Sequence, residues 1–281
     1  MTLQLLVSTI DRGIDNVCRL VLPPAADISY VVSWQHSAPD TARTLPSALQ
    51  RDDIQVVHLE GRGLSRNRNN CLRHASADIC LICDDDCRYT EQGLRSIIET
   101  FSANPSTDLA TFMMHSPGMS KRYPAVSCHL THAITGYYPS SVEMAFRRQS
   151  IQGRLQFNEH FGLGAERFLC SEEEIFLHDA QTLGLHCHFY RLTIVEHDHP
   201  TTETARATHP GVLMGKGAFL YIGYRSKMLL YPLPIAWRLH RQHGTSMLYG
   251  LRYLYKGLFH ILRHPYLASA GIVNQKRPID N

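Results

Sequence analysis

The sequence lacks a long uninterrupted hydrophobic run, and no basic segment precedes a hydrophobic stretch at its N-terminus. Its longest stretch without a charged residue, 123–142, contains His, Ser, Thr and Pro throughout, a composition that disfavours a membrane span. Residues 1–7 have neither the charged start nor the apolar core of a signal peptide. We therefore expect no transmembrane helix, no export and a cytoplasmic location.

Disordered, fibrous and repetitive architectures are also excluded. Of the 281 residues, 44% are hydrophobic and 19% are charged, which is ordinary for a globular chain. The sequence has no internal repeat and no low-complexity segment. Its length corresponds to one large domain or two small ones.

Charge is unevenly distributed, although the whole chain carries a net charge of only +3. Residues 215–281 contain ten Lys and Arg and one Asp, a net charge of +9, whereas residues 1–214 sum to −6. We therefore predict one domain over 1–214 and a basic, aromatic-rich helical extension over 215–281.

Two explanations of this basic extension stay open. Residues 229–259 mix Leu, Tyr, Trp and Ile with Arg and Lys, which is typical of a segment that lies on an anionic membrane surface. The protein would then be peripheral on the inner face of the plasma membrane. The alternative is a basic helical subdomain that packs on the rest of the chain. Nucleic acid is not an expected partner, because no known binding module is present.

The eight cysteines are expected to be reduced thiols, because the chain has no export signal. Cys80 and Cys83 have the spacing of a metal motif, but they lie in an apolar run that reads as a buried strand. Positions three apart on a strand point to opposite faces, and no second cysteine pair at zinc spacing exists. We interpret these thiols as small core side chains.

Short β-branched or apolar runs alternate with helical segments along the first 200 residues. Strands alternating with helices at this spacing predict an α/β fold with a mainly parallel open sheet flanked by helices. The predicted strands are 3–9, 28–34, 54–59, 77–83, 108–114, 142–147 and 186–192, and the predicted helices are 64–75, 90–101 and 171–184. Residues 116–138, rich in Pro, Gly, Ser and His, predict a long functional loop.

Three consecutive aspartates, Asp84, Asp85 and Asp86, end the apolar strand 77–83. Ligands of open α/β sheets bind at this carboxyl edge. If the strand geometry continues, Asp84 and Asp86 project to the same side. Such a pair suits a divalent cation that also binds phosphate oxygens, and we favour this reading over a solvated acidic turn.

A polar segment, 63–72, lies one element before this acidic motif and contains Arg68 and Asn69 near the start of a helix. Backbone N–H groups at a helix start and guanidinium groups both favour phosphates. Taken alone, such a segment is more often an exposed polar helix, but its place one element before the acidic motif favours phosphate binding.

The helix predicted from Ser171 begins with three acids. Ser171 and Glu174 form a Ser-x-x-Glu capping box, which gives Glu174 a structural role. Acids near a helix N-terminus also suit the helix dipole. Three acids exceed what capping requires, so Glu172 and Glu173 are candidates for a general base.

The order of these motifs resembles family 2 glycosyltransferases of the GT-A fold, over about residues 3–215. Gly63, Ser65, Arg68 and Asn69 match the Gly-x-Ser-x-x-Arg-Asn segment of that family. Asp84 and Asp86 match its Asp-x-Asp motif. Ser171, Glu172 and Glu173 stand where the family has Gly-Glu-Asp, and His197 or His199 stands where many members place a third metal contact.

The resemblance implies an inverting glycosyltransferase that uses Mn²⁺ or Mg²⁺. The donor would be a nucleotide-diphosphate sugar, with a UDP-sugar favoured, and the acceptor a saccharide or lipid-linked saccharide in surface polysaccharide synthesis. Glu173, or Glu172, would be the base, and Asp86 the main metal ligand with His197. The resemblance also implies a set of nucleotide-sugar contacts, which are Ser8, Thr9, Asp11, Arg68, Asn69, Asp84 and Asp85. Asp84 would contact the ribose, or the metal through water.

Two departures from the family pattern stand out: Ser8–Asp11 replaces Thr-Tyr-Asn, and the second strand ends without the Asp that reads the nucleotide base. Two rival functions stay open. A sugar nucleotidyltransferase would have a Gly-rich basic loop after the first strand, which this sequence lacks. A saccharide-binding module without catalysis would not need both Asp86 and the acidic helix start.

Overall fold

A computed structural model describes residues 1–38, 44–118, 121–131, 137–197 and 206–273. The chain forms two compact units. The first unit contains residues 1–152 and 180–199, and the second contains residues 153–179 and 200–281.

The first unit is an α/β structure built on one sheet, and in the described residues this sheet has nine strands. Their order is β3-β2-β1-β4-β8-β6-β9-β5, and β7 pairs with β9. The strands are β1 (Leu3–Ile10), β2 (Ile28–His36), β3 (Ile54–Glu60), β4 (Ile79–Asp84), β5 (Cys87–Tyr89), β6 (Leu109–His115), β7 (Cys128–His129), β8 (Met144–Arg147) and β9 (Cys187–His197).

The long pairings of this sheet are parallel. Strands β3, β2, β1 and β4 run side by side in one direction, and β6 runs parallel to β9. The antiparallel pairings, which involve β5, β7 and β8, join only two or three residues of each strand. In the parallel set, Ser8 of β1 lies between Ser33 of β2 and Asp84 of β4. The polar ends of three strands therefore meet at one edge of the sheet.

Helices accompany the sheet because each buries one apolar stripe. Ile97 and Phe101 of the third helix are fully buried in the core of this unit, together with Leu5 and Val7 of β1. Thr90 caps the third helix, since its Oγ1 accepts a hydrogen bond from the backbone N of Gly93 at 3.0 Å. The helices of this unit are α1 (Ile14–Leu20), α2 (Leu64–His74), α3 (Glu91–Ala103) and α4 (Arg148–Ile151).

The second unit is helical in its C-terminal part. Helix α5 (Glu172–Thr182) begins in this unit, and its last residues are counted with the first. The others are α6 (Pro210–Gly223), α7 (Pro232–His243) and α8 (Met247–Arg263). Within the described residues, no helix combines the length and the apolar character needed to cross a membrane.

Two glycines explain the close packing of α6 on α8. A Cβ atom at Gly217 would overlap the backbone carbonyl of Leu254, and one at Gly257 would overlap the carbonyl of Met214. Glycine at both positions lets the two backbones approach more closely than any other residue allows.

The predicted α/β fold with a mainly parallel open sheet flanked by helices is confirmed. The predicted strands and helices of the first 200 residues are present, with ends shifted by a few residues. The predicted division at residue 214 differs from the two compact units, because α6 continues through that position and packs on α8 within one unit. None of the eight cysteines, all of which lie in the described residues, forms a disulfide.

Candidate functional site

The carboxyl ends of β1 and β4 bring the three consecutive aspartates to one edge of the sheet, where each contacts a different partner. Strand β4 ends at Asp84, a turn follows, and β5 begins at Cys87. The extended geometry that would place Asp84 and Asp86 on the same side therefore does not continue past Asp84. This is a correction to the sequence-based expectation for the pair.

Asp84 forms an ion pair with Arg68 of α2. The guanidinium Nη2 lies 3.1 Å from Asp84 Oδ1, and it also donates to Ser141 Oγ at 2.7 Å. The Arg68 side chain is 2% exposed, whereas that of Asp84 is 29% exposed. A buried guanidinium with two oxygen partners holds Asp84 in place at the open edge.

Asp85 turns back towards β1. Its Oδ2 accepts a hydrogen bond from Thr9 Oγ1 at 2.5 Å. The pKa of Asp85 is raised to about 7, mainly by burial. The neighbouring charges of Asp86 and Asp84 also raise this pKa, whereas the hydrogen bond from Thr9 lowers it. Gly13 makes the arrangement possible, since a Cβ atom there would overlap the Asp85 carboxylate and lie 2.5 Å from Thr9 Oγ1.

Asp86 faces His197, and the two residues form the best candidate for a metal site. Asp86 Oδ1 lies 3.2 Å from His197 Nε2. This hydrogen bond lowers the pKa of Asp86 and keeps its carboxylate ionised. The antiparallel pairing of β5 with β9 sets Cys87 opposite His197 and so fixes the histidine beside the turn.

The donor atoms of Asp86, Cys87 and His197 lie within 4.8 Å of one another, the single group of this kind in the described residues. Burial holds the pKa of the Cys87 thiol well above its usual range, and a soft sulfur ligand suits Mn²⁺ or Mg²⁺ less well than a carboxylate oxygen does. The remaining carboxylate and imidazole suit a Mn²⁺ or Mg²⁺ ion that takes its other ligands from phosphate oxygens and water. Asp84, also predicted as a metal ligand, is not in this group, because it pairs with Arg68.

Two asparagines of α2 fasten this helix to the sheet. Asn67 Nδ2 donates to the backbone O of Thr9 at 2.9 Å, and Asn70 Nδ2 donates to Ser33 Oγ at 2.8 Å. Asn69, predicted to contact the nucleotide sugar, is 2% exposed. Gly63 begins the helix with φ 134°, a conformation that favours glycine. The polar face of α2 is therefore mainly a structural contact with β1 and β2.

Ser141 belongs to a short turn, 141–143, that a buried acid holds in place. Glu143 is fully buried and accepts hydrogen bonds from Lys121 Nζ at 2.5 Å and from the backbone N of Ser140 at 2.7 Å. The hydroxyl of Tyr123 also donates to it, and burial raises the pKa of that phenol. Sequence reasoning missed this cluster, whose one signal was a lone acid before an apolar strand.

Asp11 follows β1 and is held by the end of β2. It has φ 50°, its backbone O accepts from Trp34 Nε1 at 2.9 Å, and its Oδ1 accepts from the backbone N of Ser37 at 3.0 Å. His36, the residue before Ser37, is the last residue of β2. Its Nε2 is 2.9 Å from Nδ1 of His58. Ser8 is 5% exposed. Two imidazoles thus lie side by side near the carboxyl ends of β2 and β3.

The acidic start of α5 lies in the second unit. Ser171 has φ 76°, and its backbone O accepts from the N of Ile175 at 3.1 Å. Glu172 is buried, whereas Glu173 and Glu174 are partly exposed. The capping box of Ser171 with Glu174 stays a prediction, since φ 76° is not the extended backbone usual for that position. His199, the alternative metal contact, lies outside the described residues.

The fold and this site define a class of protein. The family model described as glycosyl transferase family 2 matches residues 7–172. This is more than half of the chain, and the protein belongs to glycosyl transferase family 2. The resemblance predicted from Gly63–Asn69, the aspartates and the start of α5 is confirmed at the level of the family.

Solved structures of TarS from S. aureus have the same fold. TarS 1–349 in complex with UDP aligns with a TM-score of 0.59 and 12% identity, covering 94% of this chain and 92% of that one. Its complex with UDP-GlcNAc gives a TM-score of 0.57 and 14% identity, covering 94% and 73%. A longer TarS structure gives 0.56 and 13%, and this chain spans only 44% of its length. No curated protein matches the sequence.

Proposed function

We propose that the protein transfers a sugar, with inversion, from a nucleotide-diphosphate sugar to a saccharide or lipid-linked saccharide. The observation that carries this proposal is the pair formed by Asp86 and His197 beside Asp84 and Arg68, at the carboxyl edge of a GT-A sheet. A UDP-sugar is the favoured donor, and the complexes of TarS with UDP and UDP-GlcNAc support this choice. The product would enter a surface polysaccharide.

Asp86 and His197 would hold the divalent cation. When bound, Mn²⁺ or Mg²⁺ offsets negative charge on a departing diphosphate. Asp84 would contact the ribose of the donor, since its side chain is partly exposed and is oriented by the buried Arg68.

Thr9 and Asp85 would line the nucleotide side of the donor site. Their mutual hydrogen bond at 2.5 Å fixes both side chains at the end of β1. Ser8 and Asp11, at the same strand end, would complete it. Fixed polar groups stabilise developing charge at lower cost than water that must reorient.

The base would be Glu173, with Glu172 as the alternative. The acceptor oxygen forms a bond to the anomeric carbon while the bond from that carbon to the diphosphate oxygen breaks. The acceptor proton passes to the glutamate carboxylate, and the nucleoside diphosphate leaves with the bonding electrons. A carboxylate is a sufficient base where the transition state resembles an oxocarbenium ion and proton removal is late. Partial exposure of Glu173 supports its assignment over the buried Glu172.

We propose that the protein acts on the cytoplasmic side of the plasma membrane, where an activated donor and a lipid-linked acceptor would meet. The net charge of +9 on residues 215–281 supports contact with an anionic membrane surface.

A panel of nucleotide sugars tests the proposed activity. Purified protein is incubated with UDP-, GDP-, CDP- and dTDP-sugars, with Mn²⁺ or EDTA, and release of nucleoside diphosphate is measured. We expect slow, Mn²⁺-dependent release from one or a few UDP-sugars. Asp86→Asn should abolish release, and the exposed Asp52→Asn should not. No release from any donor, or equal release by Asp86→Asn, contradicts the proposal.

A further inference from the structure

We propose that the protein docks on acidic phospholipid through one surface of its second unit, formed by Leu229, Leu230, Leu233 and Trp237, which we call the Leu–Trp surface. This inference rests on the proposed function, since it names the surface that would bring the enzyme to a lipid-linked acceptor. Lipid binding is measurable without turnover, so the two proposals can fail separately.

The four side chains of the Leu–Trp surface are large, apolar and exposed. Leu230 is 64% exposed, Trp237 55%, Leu229 50% and Leu233 47%. Single exposed leucines are normal on a protein surface, whereas contiguous apolar groups mark an interaction site. Here four such groups fall within nine consecutive residues.

Ordered backbone presents this surface. One side of α7 is packed in the protein, since its buried residues are Pro232, Ala236 and Leu239. Leu233 and Trp237 are one turn apart and exposed, and therefore share another side of the helix. The preceding turn is also fixed, because the Leu229 carbonyl accepts a hydrogen bond from Tyr255 Oη of α8 at 2.7 Å.

Cationic side chains lie within four residues of the Leu–Trp surface along the chain. The residues involved are Arg225, Lys227, Arg238 and Arg241, all of them exposed. The Arg241 guanidinium lies over the Trp237 ring, 5.6 Å from its centroid. Residues 206–273 contain no Asp or Glu. Nothing in this stretch of sequence therefore repels an anionic surface.

This combination matches the interface of an acidic membrane better than other partners. Tryptophan is favoured at the boundary between headgroups and acyl chains, and leucines beside it enter the acyl region. Arginines next to an apolar patch keep their charge at the level of the phosphates. A polyanion without acyl chains would leave the four apolar side chains in water.

Tryptophan fluorescence gives a direct test, because the chain has only two tryptophans and Trp34 is fully buried. Full-length protein is mixed at low salt with vesicles of phosphatidylglycerol and phosphatidylcholine in equal parts, or of phosphatidylcholine alone. We expect a blue shift of the emission with the acidic vesicles only. Trp237→Phe should remove the shift, whereas Trp34→Phe should keep it.

Cosedimentation with the same vesicles separates the apolar and the charged contributions. Leu230→Ser with Leu233→Ser should weaken binding by about tenfold or more. Arg238→Gln with Arg241→Gln should weaken it and reduce its dependence on salt. Two matched controls should bind as wild type: the exposed Val126→Ser, and Arg62→Gln with Arg122→Gln.

Circular dichroism and UDP binding confirm that each variant is folded. If wild type ignores the acidic vesicles at low salt, or if the Leu–Trp variants bind as well as the controls, the proposal is overturned. UDP affinity unchanged in the variants leaves the proposed transferase function standing in either case.

Discussion

The imidazole Nε2 of His197 lies 3.2 Å from the Asp86 carboxylate, although 111 positions separate the two residues in the sequence. The pairing of β5 with β9 produces this contact. An ionised carboxylate and an imidazole this close together can form two adjacent ligands for one cation. The two residues therefore link the strand order of the sheet to the chemistry proposed for it.

Removal of the imidazole tests this relationship. We expect His197→Ala to weaken Mn²⁺ binding by more than about tenfold. The reason is that loss of a residue that only orients a metal ligand already weakens metal binding by about tenfold. Cys87→Ala should bind Mn²⁺ as wild type does, because Mn²⁺ prefers oxygen ligands to a soft thiolate. Calorimetry with Mn²⁺ and UDP measures both. Loss of binding in Cys87→Ala with retention in His197→Ala would reverse the assignment of the ligands.

Gly13→Ala should separate Asp85 from Thr9. The new Cβ atom overlaps the Asp85 carboxylate, so this side chain must rotate and lose its hydrogen bond. We expect a loss of about 1 kcal/mol in the free energy of unfolding, the usual value for one hydrogen bond. Urea denaturation measures it. In a protein that already carries Asp85→Ala, Gly13→Ala should lower the free energy of unfolding by less. An equal loss with and without Asp85 would show that the hydrogen bond between Asp85 and Thr9 is not the cause.

Glu143→Ala should be among the more damaging substitutions in the first unit. It leaves the Lys121 ammonium and the Tyr123 hydroxyl without their buried acceptor. Breaking a buried ion pair costs about 3–5 kcal/mol, which urea denaturation detects.

Glu143 also has a positioning role, which UDP binding measures separately from stability. Glu143 holds the turn that contains Ser141, and Ser141 accepts from Arg68. Ser141→Ala leaves Glu143 intact. We expect this substitution to reduce the free energy of UDP binding more than it reduces the free energy of unfolding. A Ser141→Ala protein with unchanged UDP affinity would show that the turn is structural only.

The sequence predicted the strands β1 to β4 because each is a run of apolar or β-branched residues. It did not predict β5, whose three residues are too few for a hydrophobic pattern. The turn at Asp85 and Asp86 follows from β5, so the separate partners of the three aspartates were not foreseeable either.

Contacts between distant residues were the other omission. Arg68 and Ser141 are 73 positions apart, and nothing in the local sequence of either indicates the other. Gly13 was likewise unremarkable, because its role depends on where the Asp85 carboxylate lies. By contrast, Arg68 was identified from its place near a helix start, the aspartates from their place at a strand end, and all of them from the family resemblance.

Three glutamine variants at the start of α5 test the proposed base. Glu173→Gln keeps the size of the side chain but removes the base, so turnover should fall by roughly 10²–10⁴-fold while donor binding persists. Glu174→Gln should lose little, since glutamine can still cap the helix. A comparable collapse in Glu172→Gln instead would move the base by one residue. Near-normal turnover in all three excludes this helix start as the source of the base.

The most direct test of the donor site is the calorimetric titration of UDP into wild type and Asp86→Ala, each with Mn²⁺ and with EDTA. We expect one UDP bound per chain in wild type with Mn²⁺. We expect binding weaker by at least about tenfold in wild type with EDTA and in Asp86→Ala under both conditions. Equal UDP affinity in wild type and Asp86→Ala with Mn²⁺ would contradict it.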